Sequence, residues 1–277
     1  MLRSLDSGIS ALQQFQQSMD VIGNNIANVD TIGFKGANVQ FADSFSQTLS
    51  AAGTAGSMQV GTGVVTSSIS NNFAQGAVSN TGVATDLAIN GNGFFTVKDS
   101  VGGATFVTRD GEFKVDPSGY LVTTTGLRVQ GYTSFDSSVP PVGTLGDIQI
   151  TNNVAGSAAT ITSYGFDTQG KVNVRLSDGT QIVRGQVLLT SYLSPEQLTK
   201  EGNNLYSGMT GAGAIVSNGK PGSSGLGTLV ASSLEMSNVD LATQMSSLIT
   251  TQRAFQANAK IITTSDEMLQ ELVNLKR

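Results

Sequence analysis

Two seven-residue apolar repeats stand at opposite ends of this chain, and they limit its fold more than anything between them. At the N-terminal end Leu5, Leu12, Met19 and Ile26 recur every seventh position, with Ile9, Phe15, Ile22 and Val29 beside them. At the C-terminal end Leu241, Leu248, Phe255, Ile262 and Leu269 do the same, with Met245, Ala259 and Val273 in between. Such spacing keeps side chains on one helical face and forms the seam of a coiled coil. Two helices written at the extremes of a chain suit a polymer subunit, whose ends bury their faces against each other and against neighbouring copies.

Between the seams the pattern is β. Leu87-Ala88-Ile89 precedes the turn Asn90-Gly91-Asn92-Gly93, and Phe94-Phe95-Thr96-Val97 follows. Phe106 and Thr108, then Phe113 and Val115, alternate with polar residues. Asp116-Pro117-Ser118-Gly119 has the residues of a type I turn and predicts a hairpin between 113–115 and 120–122. Val172, Val174 and Leu176 alternate up to Ser177-Asp178-Gly179, with a return strand over 182–189. Short strands at this spacing predict an antiparallel sandwich or barrel-like domain. The predicted class is α+β: terminal helices paired as a coiled coil around a central all-β antiparallel domain. The expected divisions are 1–30 for the first helix, 31–75 for a connector, 76–232 for the β-domain and 233–277 for the last helix.

Within the connector, Phe41, Phe45 and Leu49 at i, i+4 and i+8 predict a short amphipathic helix, and the small residues 50–57 read as a loop. Residues 210–228 read as a loose return. Gly8 and Gly23 inside the first helix each cost about 1 kcal/mol relative to Ala, so that helix needs a partner face. Gly33 and Phe34 mark a hinge where the chain leaves it. Ser237 with Asp240 three residues on fits a capping box at the start of the second helix. Lys276 and Arg277 complement its dipole at the other end. Asn24, Asn25 and Asn28 either bond to neighbouring subunits or cap their own helix.

Composition excludes several classes. With no His and no Cys, the commonest general base, the thiol nucleophile and most zinc chemistry are missing. Gly91-Asn92-Gly93 is followed by neither Lys-Ser/Thr nor a helix, so it reads as a turn and not a phosphate loop. Asp110, Glu112 and Asp116 lack the spacing of a calcium loop. A net charge of −5 without a basic run argues against nucleic acid. No apolar stretch has membrane-spanning length, and the first residues lack the apolar core of a secretory signal. No enzyme activity, cofactor or metal is expected. Charged residues are only 13%, against the usual quarter, which suits a surface that other copies cover.

A family likeness rests on four stretches. Met19-Asp20-Val21-Ile22-Gly23-Asn24-Asn25-Ile26-Ala27-Asn28, with Thr31 and Gly33-Phe34-Lys35, resembles the N-terminal signature of bacterial flagellar rod and hook proteins. Asp86-Leu87-Ala88-Ile89 with Gly91 and Gly93-Phe94-Phe95 is similar to their central motif, which Thr108-Arg109-Asp110-Gly111-Glu112-Phe113 extends. Leu234-Glu235-Met236-Ser237-Asn238-Val239-Asp240 and Gln252-Arg253-Ala254-Phe255-Gln256-Ala257-Asn258 resemble the C-terminal signature. Val21-Ile22-Gly23-Asn24-Asn25-Ile26, the short stretch between Leu49 and Gln59, and the tail 261–277 look most like a short hook protein.

The resemblance implies a flagellar hook subunit, a flexible joint around an export channel. The alternative is the distal rod subunit, a rigid drive shaft, and the remote one a secreted binding module. It implies a homopolymer whose partners include the distal rod, hook cap and hook–filament junction proteins, and signal-less export by the flagellar type III apparatus. Subunit assembly would rest on Leu5, Ile9, Leu12, Phe15, Met19, Ile22, Asn24, Asn25, Ile26 and Asn28 of the first helix. On the second it would rest on Leu241, Met245, Leu248, Gln252, Phe255, Ile262, Leu269 and Val273, with Leu248, Phe255 and Ile262 at its energetic centre.

Overall fold

Both terminal repeats are helices: α1 spans Leu2–Ala27 and α2 spans Leu241–Leu275, 35 residues or about 50 Å at 1.5 Å per residue. A computed structural model describes residues 2–53, 56–100, 103–133, 145–150, 160–213 and 215–275. The predicted dipole partners Lys276 and Arg277 lie outside the described residues. The chain divides into two units. The first takes the residues up to 29, 36–72 and those from 239 onward, and the second takes 30–35 and 73–238. Among the described residues, no helix is long and apolar enough to cross a membrane.

In the first unit the connector is β-structure. The strands are β1 (Ala37–Asp43), β2 (Ser46–Gly53), β3 (Gly56–Gly61) and β4 (Val64–Asn71). β1 runs antiparallel to β4 from Ala37↔Asn71 to Asp43↔Val64, with a bulge at Gln40/Phe41, and β2 pairs with β3 as a hairpin. The short helix predicted over Phe41, Phe45 and Leu49 does not form, and most of the loop predicted over 50–57 is strand. α1 lies on this sheet through its glutamines: Thr66 Oγ1 donates to Gln17 Oε1 at 2.8 Å and also bonds Gln14. Phe15 meets Phe41 edge-to-face at 6.1 Å.

The second unit holds a 13-stranded antiparallel sheet. One path through it runs Ile161–Phe166, Lys171–Leu176, Gln181–Val187, Arg128–Thr133, Phe94–Lys98, Thr105–Thr108, Leu205–Ser207 and Thr199–Gly202. The hairpin at Asp116–Gly119 forms as read: Gly119 N donates to Asp116 O at 2.7 Å, and Leu121 sits opposite Val115. Val172, Val174 and Leu176 point inward, as their alternation requires. Leu87–Asn90 and Phe94–Lys98 do not pair across their turn; the first pairs with Thr228–Ala231 and the second joins the large sheet. The loose return predicted over 210–228 contains the strand Ile215–Gly219, paired with Leu189–Tyr192. The core gathers Leu87, Phe95, Val97, Phe113, Leu121, Val129, Val172, Val187 and Leu229.

Candidate assembly site

The two helices meet in the first unit where α1 is smallest. A β-carbon on Gly8 would stand 3.3 Å from Ile262 Cγ1, so the residue that weakens α1 as an isolated helix lets α2 come close. Leu5, Leu12, Phe15, Met19 and Ile26 are half-buried, and so are Leu248, Phe255, Ile262 and Leu269 of α2; Ile22 is buried. The predicted seam therefore faces its own chain in large part.

Another set of apolar side chains is left in solvent. Leu241, Met245 and Ile249 lie four residues apart at the start of α2, each more than two-fifths exposed. Ile261, Met268 and Leu272 are equally open and Leu275 more so, centred about 150° further round the helix at 100° per residue. Ile9 on α1 and Val273 are exposed as well, as is Gln252. Ile249, Ile261, Met268 and Leu272 escaped the sequence reading because they stand off its seven-residue grid. Testing the spacings i+4 and i+8 from Leu241 would have found the first of them.

The asparagines divide their roles. Asn25, 2% exposed, donates from Nδ2 to Ala37 O at 2.8 Å and accepts from Ala37 N at 3.0 Å, and also donates to Gln244 Oε1 of α2 at 3.2 Å. Asn28 donates to Asn24 O at 2.9 Å, a local cap of α1, and Asn24 is exposed. Asn25 thus uses its amide inside its own chain. The cap of α2 also moves. Helix starts at Leu241, and Asp240, not Ser237, accepts from Ala242 N and the Thr243 hydroxyl. Those donors hold the Asp240 carboxyl below its usual range, the Thr243 hydroxyl most of all.

The second unit contains a buried ionic cluster built from three of the four motif stretches. Glu235 accepts from Lys35 Nζ at 2.6 Å and from Arg109 Nη1 at 3.2 Å, and all three side chains are at most 4% exposed. Lys35 also donates to Ala74 O at 2.8 Å, Arg109 to Gly91 O at 3.0 Å, and Gly76 N to Glu235 Oε1 at 2.9 Å. Burial pushes the Lys35 ammonium below its ordinary value, and Glu235 offsets part of that. Burial pushes the neighbouring Tyr206 phenol up.

Gly33 and Phe34, read from the sequence as a hinge, are both buried here. Gly33 N donates to Glu235 O at 2.7 Å, its φ is +66°, and a β-carbon would stand 2.8 Å from Asp110 N. No single motif exposes this cluster, because Lys35, Arg109 and Glu235 are far apart in sequence. The available signal was that each is an ionic residue inside a motif of a chain with few charges.

Comparison with known proteins matches the same stretches. Residues 5–35 fit the family model "Flagella basal body rod protein", residues 88–174 the "Flagellar hook protein FlgE/F/G D1 domain", and residues 230–275 the "Flagellar basal body rod FlgEFG protein C-terminal". The flagellar basal-body rod protein FlgG of Bacillus subtilis is 40% identical over 284 aligned positions, covering all of both chains. The flagellar hook protein FlgE of Borreliella burgdorferi is 29% identical, also across both whole chains, but its alignment stretches to 444 positions. The flagellar hook protein FlgE of Treponema pallidum is 49% identical over 144 positions, which cover 49% of this chain and 31% of that one. Aligned end to end with a rod protein and, at lower identity, with a hook protein, the chain belongs to the flagellar rod and hook protein family, structural components of the bacterial flagellum.

Proposed function

We propose that this protein is the distal rod subunit of the flagellar basal body, a homopolymer that carries torque as a stiff shaft. The hook reading taken from the sequence gives way to its alternative. One observation carries this: the rod protein aligns along its whole length within 284 positions, whereas alignment to a full hook protein needs 444 positions for a chain of 277. Hook proteins thus contain long stretches with no counterpart here.

In this reading α1 and α2 pair as a coiled coil and form the inner layer around an export channel. The β-structured connector lies outside that layer and the large β-domain outermost. Export runs through the flagellar type III apparatus, and the shaft joins other rod segments below and the hook above. The exposed stripes of α2, Leu241-Met245-Ile249 and Ile261-Met268-Leu272, supply the contacts between copies. Their burial supplies a hydrophobic contribution of about 25 cal/mol per Å2 of apolar surface removed from water. Electron microscopy of the polymer formed by concentrated protein tests the assignment. Straight tubes support the rod, curved and supercoiling tubes return it to the hook, and absence of any polymer argues against a structural subunit.

A further inference from the structure

The ionic cluster of the second unit joins three separate pieces of chain, and its charges do not balance. Two cations, Lys35 and Arg109, share one anion, Glu235. Lys35 belongs to the arm 30–35, by which the chain enters this unit after α1, and Glu235 to the arm 233–238, by which it leaves before α2. Arg109 stands on the body of the unit.

The two arms are held by different means. The exit arm forms a strand, Ser233–Glu235, paired with Val78–Asn80, and Met236 N donates to Ala77 O at 2.8 Å. Its Glu235 keeps Arg109 Nη1 and Gly76 N as donors whether or not Lys35 is present. The entry arm has no strand pairing. Its bonds include Gly33 N to Glu235 O at 2.7 Å, Asn238 N to Phe34 O at 3.5 Å, Asn204 Nδ2 to Ile32 O at 2.6 Å, Lys200 Nζ to Lys35 O at 2.9 Å, Lys35 Nζ to Ala74 O at 2.8 Å and the Lys35 ion pair. Three of them, those to Glu235 O, the Glu235 carboxylate and Asn238 N, are made to the exit arm.

Removing one arm at a time gives opposite results. Without the entry arm, Arg109 and Glu235 remain a neutral buried pair. Without the exit arm, Lys35 and Arg109 would be like charges in a dry site with no anion, an arrangement that desolvation strongly disfavours. We propose that Glu235 is an ordered latch: the exit arm 233–238 docks first and completes the site, and only then does the entry arm 30–35 close on it. This holds whether the polymer is rod or hook, because it concerns one subunit.

The latch is testable on the full-length, unassembled protein with trypsin, which cuts after Lys and Arg. Lys35 and Arg109 should resist cleavage in the native protein. Glu235→Gln should speed cleavage after Lys35 at least tenfold, read by mass spectrometry. Lys35→Met should leave hydrogen exchange at Met236 and Gly76 within about threefold of the parent. Persistent protection of Lys35 in Glu235→Gln overturns the latch. Opening of Met236 and Gly76 in Lys35→Met, to the same degree as Lys35 opens in Glu235→Gln, overturns the order. Should Glu235→Gln lose its β-sheet circular dichroism, native-state exchange on the parent protein decides. Gly33 N should open more readily than Met236 N, and the reverse ranking refutes the proposal.

Discussion

The two units bury their apolar side chains to different degrees. In the second unit Leu87, Phe95, Val97, Val107, Leu121, Val129, Val172, Val174, Val187, Leu189 and Leu229 are all 0% exposed. In the first, among the described residues, the most deeply buried large apolar side chain is Ile22 at 8%, while Met245, Ile249, Met268 and Leu272 are about half exposed. Both units draw on the same apolar residue types. One satisfies them internally, whereas the other leaves a large share unsatisfied until something covers them. A sealed core is what lets a domain fold alone, and a surplus of helical apolar surface is what a polymer subunit must keep in reserve.

That contrast can be attacked from the sealed side first. Gly111→Ala would drive a β-carbon into the Leu87 carbonyl, backbone against backbone, so no side-chain motion can relieve it. A loss above about 5 kcal/mol, or no cooperative unfolding, is expected in urea titrations of unassembled protein. Phe113→Ala removes one ring of the edge-to-face pair with Phe95, centroids 5.1 Å apart. It should cost about 3–5 kcal/mol in the same assay, and a cost near 1 kcal/mol would break the picture of a close-packed second unit. Phe255→Ala, half-buried against its own chain, should cost about half of that in the free subunit and also impair assembly. Met245→Asp and Met268→Asp should change the free subunit by less than about 0.5 kcal/mol. In sedimentation assays they should raise the concentration needed for polymer at least tenfold. If instead they unfold the monomer, these faces are already covered.

The smallest effect belongs to pH. Asp240 is held below the usual carboxylate range by the Thr243 hydroxyl and the Ala242 amide. Its folded value lies under its unfolded one, so the cap is intact above the ordinary carboxylate range and is lost as pH falls through the depressed value. Exchange of the Ala242 amide, corrected for intrinsic rate, should be flat while pH stays above the ordinary carboxylate range and rise only once pH has fallen below it. In Asp240→Ala that rise should vanish.

What the sequence revealed depends on how local the cause is. The helices and the turn at Asp116–Gly119 were legible because their signals repeat within a few residues. The connector was not. β1 and β4 pair Ala37 with Asn71 across a long interval, and the alternation of Ala37, Val39 and Phe41 with Asn38 and Gln40 is too short to outweigh the helical spacing of Phe41, Phe45 and Leu49. The bulge at Gln40/Phe41 shifts the pattern again, and the four-residue spacing of Phe41 and Phe45 is coincidental. For the candidate site, the seam residues were legible as a face, and in the free subunit that face is half-buried against its own chain. Their period says that they face one side, not whose helix lies there. The Lys35–Glu235–Arg109 cluster was present as three motif residues whose meeting only the fold could reveal.

Asn25 has a mechanical consequence. Its amide takes both the N–H and the C=O of Ala37, as the next peptide group of a sheet would, while its Nδ2 also reaches Gln244. The last turn of α1 is thereby spliced into the edge of β1 and pinned to α2. A twist applied to one of the three elements cannot be absorbed by slip at that joint, because slip would strip a buried amide of its partners. Any bending of such a subunit is thereby displaced from this joint to other parts of the molecule or to its contacts with neighbouring copies.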